Sequence, residues 1–264
     1  MEQIKKIKLF LFDMDGTLYL GDRLFPFTKE LLKFIRKSGR DYLFTTNNSS
    51  KSTGDYVKKL QKLGIPCTED DFFTSSHATI DYLNENHKGK TLYVCGTASF
   101  KEQLSSAGFS LTEEREETEC IVMGFDTELN FKKLSDVSRM LCENPSLPYI
   151  ATNPDLVCPT EFGSVPDCGS VCEMIFNATG KRPVVIGKPD KRMMLLAAQK
   201  KGAPKEECAV VGDRIYTDIK SGLNAGIFSI LVMSGETTKE ILSASKEKPD
   251  LILNDAGELM GLLQ

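Results

Sequence analysis

LFLFDMDGTLY, Leu9–Tyr19, sets two carboxylates, Asp13 and Asp15, directly behind an apolar run, with Gly16 and Thr17 after them. A strand ending in an Asp-Gly turn is ordinary, because Asp hydrogen-bonds local backbone and Gly accepts positive φ. Its meaning depends on whether other residues need a pair of acids here, and on whether the apolar run belongs to a buried parallel sheet. IKLFLF (7–12), DYLFTT (41–46), CAVVGD (208–213) and FSILVM (228–233) are short, nearly unbroken apolar runs of the kind buried on both faces of such a sheet. KELLKFIRKSG (29–39) and SSKSTGDYVKKLQKLGI (49–65) read as helices stopped by Gly39 and Gly64. Strands alternating with helices predict an α/β fold built on a parallel sheet.

A second β/α series starts at KGKTLYVCG (88–96), with strands TLYVCG (91–96), CIVMGF (120–125) and LPYIATN (147–153) and helices near 99–107 and 131–144. RPVVIGKPDKRMMLLAAQKKG (182–202) then returns to a strand and a helix, with Pro189 early in the segment, where its missing N–H costs little. One α/β domain interrupted by another is expected, with the first part of the core at 1–78, the insertion at 79–182 and the second part of the core at 183–264.

At 264 residues, 41% hydrophobic and 27% charged, the chain has ordinary globular composition. A net charge of −4 gives no basic footprint, which excludes nucleic acid and anionic membrane as main partners and leaves small molecules. The N-terminal apolar run is broken by Asp13 too early for a secretory signal, and no run reaches membrane-spanning length, so a cytoplasmic location is expected. The eight cysteines are scattered and read as free buried thiols; CGSVC (168–172) lacks a second pair and the spacing of a zinc site. The acidic run TEEREETE (112–119) reads as a solvated face, His77 and His87 are assigned no role, and NNS and NAT are coincidental matches to the glycosylation pattern.

In an open parallel sheet, ligands bind beyond the carboxyl ends of the strands. There lie Asp13 and Asp15, TTNN (45–48), GKPD (187–190) and GDRIYTD (212–218). Carboxylates converging on one pocket repel by roughly 4 kcal/mol per pair at 4 Å with an effective dielectric near 20, so a cation is required. All-oxygen donors select a hard ion such as Mg²⁺. Lys188, a threonine hydroxyl and the backbone N–H groups of TNN suit phosphate oxygens. Metal-assisted phosphoryl transfer is the chemistry these groups support.

DMDGTLY, TTNNS, GKP and GDRIYTDI, in this order, resemble the four motifs of the haloacid dehalogenase (HAD) superfamily, in particular its subfamily IIA, the NagD-type or 4-nitrophenylphosphatase-like branch. The resemblance covers nearly the whole chain. It implies a Rossmann-like core interrupted by a smaller α/β cap of the C2 type, since only the gap between Thr46 and Lys188 has room for one. It implies that Asp13 is the nucleophile that forms an aspartyl-phosphate and Asp15 the general acid and base. Side chains two apart on extended backbone face the same way, so Asp-x-Asp delivers both to one substrate. Thr46, chosen over Thr45 by the family's Thr-Asn pattern, and Asn47 would hold the phosphoryl group, and Lys188 would neutralise charge on it. Asp13, the Asp15 carbonyl and Asp213 would bind Mg²⁺, with Asp218 orienting ligands.

The implied activity is Mg²⁺-dependent hydrolysis of a small phosphomonoester such as a nucleotide monophosphate, a sugar phosphate or pyridoxal phosphate. The phosphorylated metabolite is the partner, and the resemblance leans towards a homodimer formed through the cap. A phosphotransferase with the same intermediate, and a non-catalytic sensor of a phosphometabolite, are the rival readings. Specificity is expected in the loop 153–174, where many relatives have a glycine-rich stretch and this chain has PDCGS (166–170), placing Asp167 and Cys168 at the mouth.

Overall fold

A computed structural model describes residues 2–160 and 162–264. Their contacts divide them into two compact units, the first comprising the chain up to Thr46, Tyr56–Phe73 and Lys188–Gln264. Its sheet has six strands in the order Leu251–Leu253, Phe228–Val232, Cys208–Gly212, Leu9–Phe12, Asp41–Thr46, Phe72–Thr74. Leu9–Phe12 is central and buried at every residue, as its unbroken apolar sequence requires. It runs parallel to both neighbours, Phe12 standing level with Val211 on one side and Phe44 on the other. The register therefore brings Asp13, Thr45–Thr46 and Gly212–Asp213 out at one edge of the sheet.

The helix Thr28–Lys37 buries Leu31, Leu32 and Ile35, spaced for one face, and ends near Gly39, whose φ of +74° suits only glycine. Those side chains meet Phe10, Phe12, Phe44 and Phe72 in one hydrophobic cluster. After Asp15 the chain makes a short antiparallel hairpin, Tyr19–Leu20 with Arg23–Leu24, where the sequence pattern shows no strand.

The second unit comprises Asn47–Asp55 and Thr74–Gly187. Its main sheet has five strands, all parallel, in the order Val184–Val185, Tyr149–Ala151, Cys120–Met123, Leu92–Cys95, Leu111–Thr112. The returning strand expected in RPVVIG is thus two residues long and pairs within this sheet, Val184 level with Ile150. Tyr93, Met123, Val137, Leu141 and Ile175 share its core. The helix Phe131–Glu143 starts at Asn130, whose side chain accepts the Lys133 N–H at 3.1 Å.

The stretch 153–174 is more ordered than the loop expected there: Val157–Thr160 pairs antiparallel with Gly163–Pro166, and a helix starts at Cys168. Asp167 is not displayed at a mouth. It is buried, and its Oδ1 accepts the Cys168 N–H at 2.5 Å and the Asn153 Nδ2 at 3.2 Å, because the helix needs an N-cap there. Cys168 is fully buried in the core. His77 serves the fold, its Nδ1 accepting the Thr74 N–H at 3.1 Å at the start of the helix Ser75–Asn86. All eight cysteines are free, and no described helix is long and apolar enough to cross a membrane.

Candidate active site

Asp13 leaves the central strand with its N–H donated to the Val211 carbonyl at 2.8 Å, which anchors it to the sheet while its carboxylate turns out at the edge. Lys188 meets it there. The ammonium is 2% exposed and donates to Asp13 Oδ1 and Asp218 Oδ1, both at 2.6 Å. Asp218 lies in a wide turn, Ile215–Ile219, where the Ile219 N–H reaches back to the Arg214 carbonyl at 3.3 Å; its Oδ2 accepts the Arg214 N–H at 3.1 Å. Both carboxylate oxygens of Asp218 are thereby engaged.

Asp213 is buried beside them, and Asp13, Asp213 and Asp218 each offer an oxygen within 4.8 Å of the others. One Asp213 oxygen, Oδ2, accepts the Glu236 N–H at 2.6 Å, whereas Oδ1 has no hydrogen-bond partner among the described residues. Burial, then the neighbouring Asp218 carboxylate, pushes Asp213 up to about 7, against the pull of the Glu236 N–H. Burial also raises Asp13 well above the usual carboxylate range; Lys188 opposes the rise, and Asp218 and Asp213 add to it. For Lys188 burial acts downward, but the Asp13 and Asp218 charges outweigh it and the net shift is upward.

Three carboxyl groups face one ammonium in a place where burial and mutual repulsion resist their ionisation, and a buried Asp213 oxygen lacks a partner among the described residues. An all-oxygen donor set of this kind fits a hard divalent cation.

Asp15 is exposed, and its Oδ1 accepts the Gly21 N–H at 3.4 Å, a weak link to the hairpin that follows. Gly16 has φ +78° and packs so closely on Asp213 that a Cβ there would overlap Oδ2. Of the two threonines, Thr45 is committed to the sheet, its hydroxyl donating to the Phe12 carbonyl at 3.2 Å, while Thr46 takes the alternate face. Asn47 belongs to the second unit, where its Nδ2 donates to Asp155 Oδ2 at 3.1 Å and its carbonyl accepts the Ser75 hydroxyl at 2.7 Å. Asp190 caps the helix Lys191–Lys200.

The structure therefore gathers Asp13, Lys188, Asp213 and Asp218 into one cluster, Lys188 bonded to Asp13 and Asp218 and an Asp213 oxygen within 4.8 Å of both acids, with Asp15 two residues along the chain from Asp13 and Thr46 at the end of the neighbouring strand. Sequence reasoning missed Ser234 and Glu236. Ser234 Oγ donates to the Gly16 carbonyl at 2.7 Å, and Glu236 holds Asp213. The rule that selected the other residues, position beyond the end of a parallel strand, also selects these, since they follow Phe228–Val232.

Residues 10–110 match the haloacid dehalogenase-like hydrolase family and residues 185–259 match a HAD-hydrolase-like family. The chain is similar to the crystal structure of a 4-nitrophenylphosphatase from Thermotoga maritima, with a TM-score of 0.94 and 39% identity over 99% of each chain. It is 31% identical to the acid sugar phosphatase of Staphylococcus aureus over 261 residues, 99% of this chain and 100% of that one. A glycerol phosphate phosphatase from Mycobacterium tuberculosis, solved in complex with calcium, has a TM-score of 0.89 and 26% identity, covering 97% of this chain and 76% of that one.

Proposed function

The chain belongs to the haloacid dehalogenase-like hydrolases, in the branch of the NagD and 4-nitrophenylphosphatase structures, and on that premise we propose that it hydrolyses small phosphomonoesters by way of a phosphoryl group carried on Asp13. The observation that carries this reading is the buried Asp13–Lys188–Asp218 contact beside an unpartnered Asp213 oxygen. The charge of Lys188 opposes the rise that burial and the neighbouring acids impose on Asp13, and so favours the ionised form that attacks.

An Asp13 carboxylate oxygen attacks phosphorus, so one P–O bond forms as the bond to the leaving oxygen breaks. Asp15 gives that oxygen a proton, and exposure lets it reach substrate and water. Asp15, now a carboxylate, takes a proton from water as the water oxygen attacks phosphorus; the Asp13–phosphorus bond breaks, and inorganic phosphate leaves. The Thr46 hydroxyl and the Asn47 N–H hold the transferring group, and Asp218 holds Lys188 against Asp13. Asp13, the Asp15 carbonyl and Asp213 would bind Mg²⁺, which supplies charge neutralisation at the phosphoryl oxygens.

Sugar and polyol phosphates are the substrate class proposed, from the names of the staphylococcal and mycobacterial relatives. The insertion, expected over residues 79–182 between core segments 1–78 and 183–264 and observed as a unit of Thr74–Gly187 with Asn47–Asp55, is proposed as the cap that selects among them and as the dimer contact; light scattering of the intact chain tests the dimer.

The test of the activity is phosphate release from 4-nitrophenyl phosphate and from a sugar phosphate panel, with Mg²⁺ and with chelator, for the intact chain and Asp13→Asn. Turnover that needs both the metal and Asp13 is expected. Binding without turnover favours a sensor, and phosphate appearing on an added alcohol favours a phosphotransferase.

A further inference from the structure

The segment Ser234–Gly235–Glu236 touches the site at two places, and nothing in the chemistry above uses it. Ser234 Oγ donates to the Gly16 carbonyl at 2.7 Å. The Gly16 N–H is itself donated to the Tyr19 carbonyl at 2.8 Å, so both polar groups of that residue are held. Two residues on, the Glu236 N–H donates to Asp213 Oδ2 at 2.6 Å. Between them Gly235 lies so near Asp213 that a Cβ would overlap its carboxylate, as it would at Gly16 on the other side.

The segment is anchored in turn. The Glu236 carboxylate pairs with the Arg214 guanidinium, Nε at 2.8 Å, and accepts the Tyr216 hydroxyl, both residues lying on the turn that follows Asp213. The Thr237 hydroxyl accepts the Ile215 N–H at 3.1 Å. A loop joined by these four hydrogen bonds and one ion pair to two catalytic loops does more than connect a strand to the next helix.

We propose that Ser234 is a positioning residue for Asp15: by holding the Gly16 carbonyl it fixes the left-handed glycine next to Asp15 and so aims the proton donor at the leaving oxygen. The inference rests on the reading of Asp15 as the general acid. It predicts a defect that depends on the substrate. A leaving oxygen of low basicity, as in 4-nitrophenyl phosphate, needs little protonation as it departs, whereas an alkoxide, as in glycerol phosphate, needs a well-aimed acid.

The experiment measures kcat/KM for 4-nitrophenyl phosphate and glycerol phosphate with the intact chain, Ser234→Ala, Ser234→Thr and Asp15→Asn, at saturating Mg²⁺. Misaiming forfeits part of the ~10²–10⁴-fold typical of acid catalysis, so Ser234→Ala is expected to lose about tenfold or more on glycerol phosphate and less than about threefold on 4-nitrophenyl phosphate. Ser234→Thr, which keeps the hydroxyl, is expected to restore the ratio of the two. Equal losses on both substrates, or no loss, overturn the proposal, because a general disturbance of folding has no preference for leaving group. Asp15→Asn is the control for the underlying reading. If it shows no preference for the better leaving group, the acid is elsewhere and the role of Asp15 falls together with that of Ser234; if it shows the preference and Ser234→Ala does not, only the positioning role fails.

Discussion

Lys188 brings one positive charge into a cluster of carboxylates and is almost wholly removed from water, with both of its named partners at 2.6 Å. Removing one member of a buried ion pair costs about 3–5 kcal/mol, because the remaining charges lose compensation. Lys188→Met is therefore expected to lower the stability of metal-free protein by that order, in urea unfolding, and to abolish phosphate release even where the variant is folded; unchanged stability would show that the carboxylates simply take up protons. At this scale Asp13, Lys188 and Asp213 were legible because each follows a short apolar run or a glycine, and Asp218 because it closes the segment GDRIYTD that the resemblance marks. Asp167 was misread for a reason equally physical: a carboxylate ahead of a helix has a structural use, capping, that composition around it does not distinguish from a place in a pocket. Ser234 and Glu236 are ordinary polar residues, and what they do depends on loops distant in sequence coming together.

Strand alternation separates Thr45 from Thr46, and the two should behave oppositely on mutation. Thr45→Val removes the hydroxyl that donates to the Phe12 carbonyl inside the sheet, so a loss of about 1 kcal/mol is expected in denaturant unfolding, with kcat/KM nearly unchanged. Thr46→Val is expected to lower kcat/KM and leave stability nearly intact; the reverse pattern would exchange their roles. Gly16→Ala meets both a positive φ and the Asp213 carboxylate, and is expected to weaken Mg²⁺ binding, read by calorimetry, as well as turnover. Elements with long, unambiguous patterns were legible: the strand over 41–46 matches residue for residue, and helices expected at 29–39 and 131–144 appear as Thr28–Lys37 and Phe131–Glu143. Short elements were not. The hairpin at Tyr19–Leu24 and the strands Val157–Thr160 and Gly163–Pro166 carry too few residues for a period to show. Polar residues at its first turn hid the helix Ser75–Asn86, whose start depends on the reciprocal Thr74–His77 cap.

Two parallel sheets, one series inserted in the other, follow from alternating strands and helices, and that architecture was legible throughout. Strand order was not, because Val184–Val185 carries nothing in its composition to say that it joins Tyr149–Ala151. The cost of building the site falls on the whole molecule. Folded, metal-free Asp213 keeps its proton until about pH 7, whereas the ordinary value is 3.8. The folded form thus binds more protons between those values, and stability must fall as pH rises through that window. Thermal unfolding in chelator should show this slope, Mg²⁺ should oppose it by binding the ionised carboxylate, and Asp213→Asn, neutral throughout, should flatten it. Parallel curves for the two proteins would contradict the account.

The most direct test of the central claim is to look for the phosphoryl group on Asp13. Asp15→Asn, which lacks the base for the second step, is mixed with 4-nitrophenyl phosphate and Mg²⁺, quenched in acid and analysed by peptide mass spectrometry. One phosphoryl group on the peptide that contains Asp13, absent from the Asp13→Asn protein, is the predicted result. Phosphate release by the intact chain with no such adduct in either rapid-quench or variant samples, or an adduct on another residue, would contradict it.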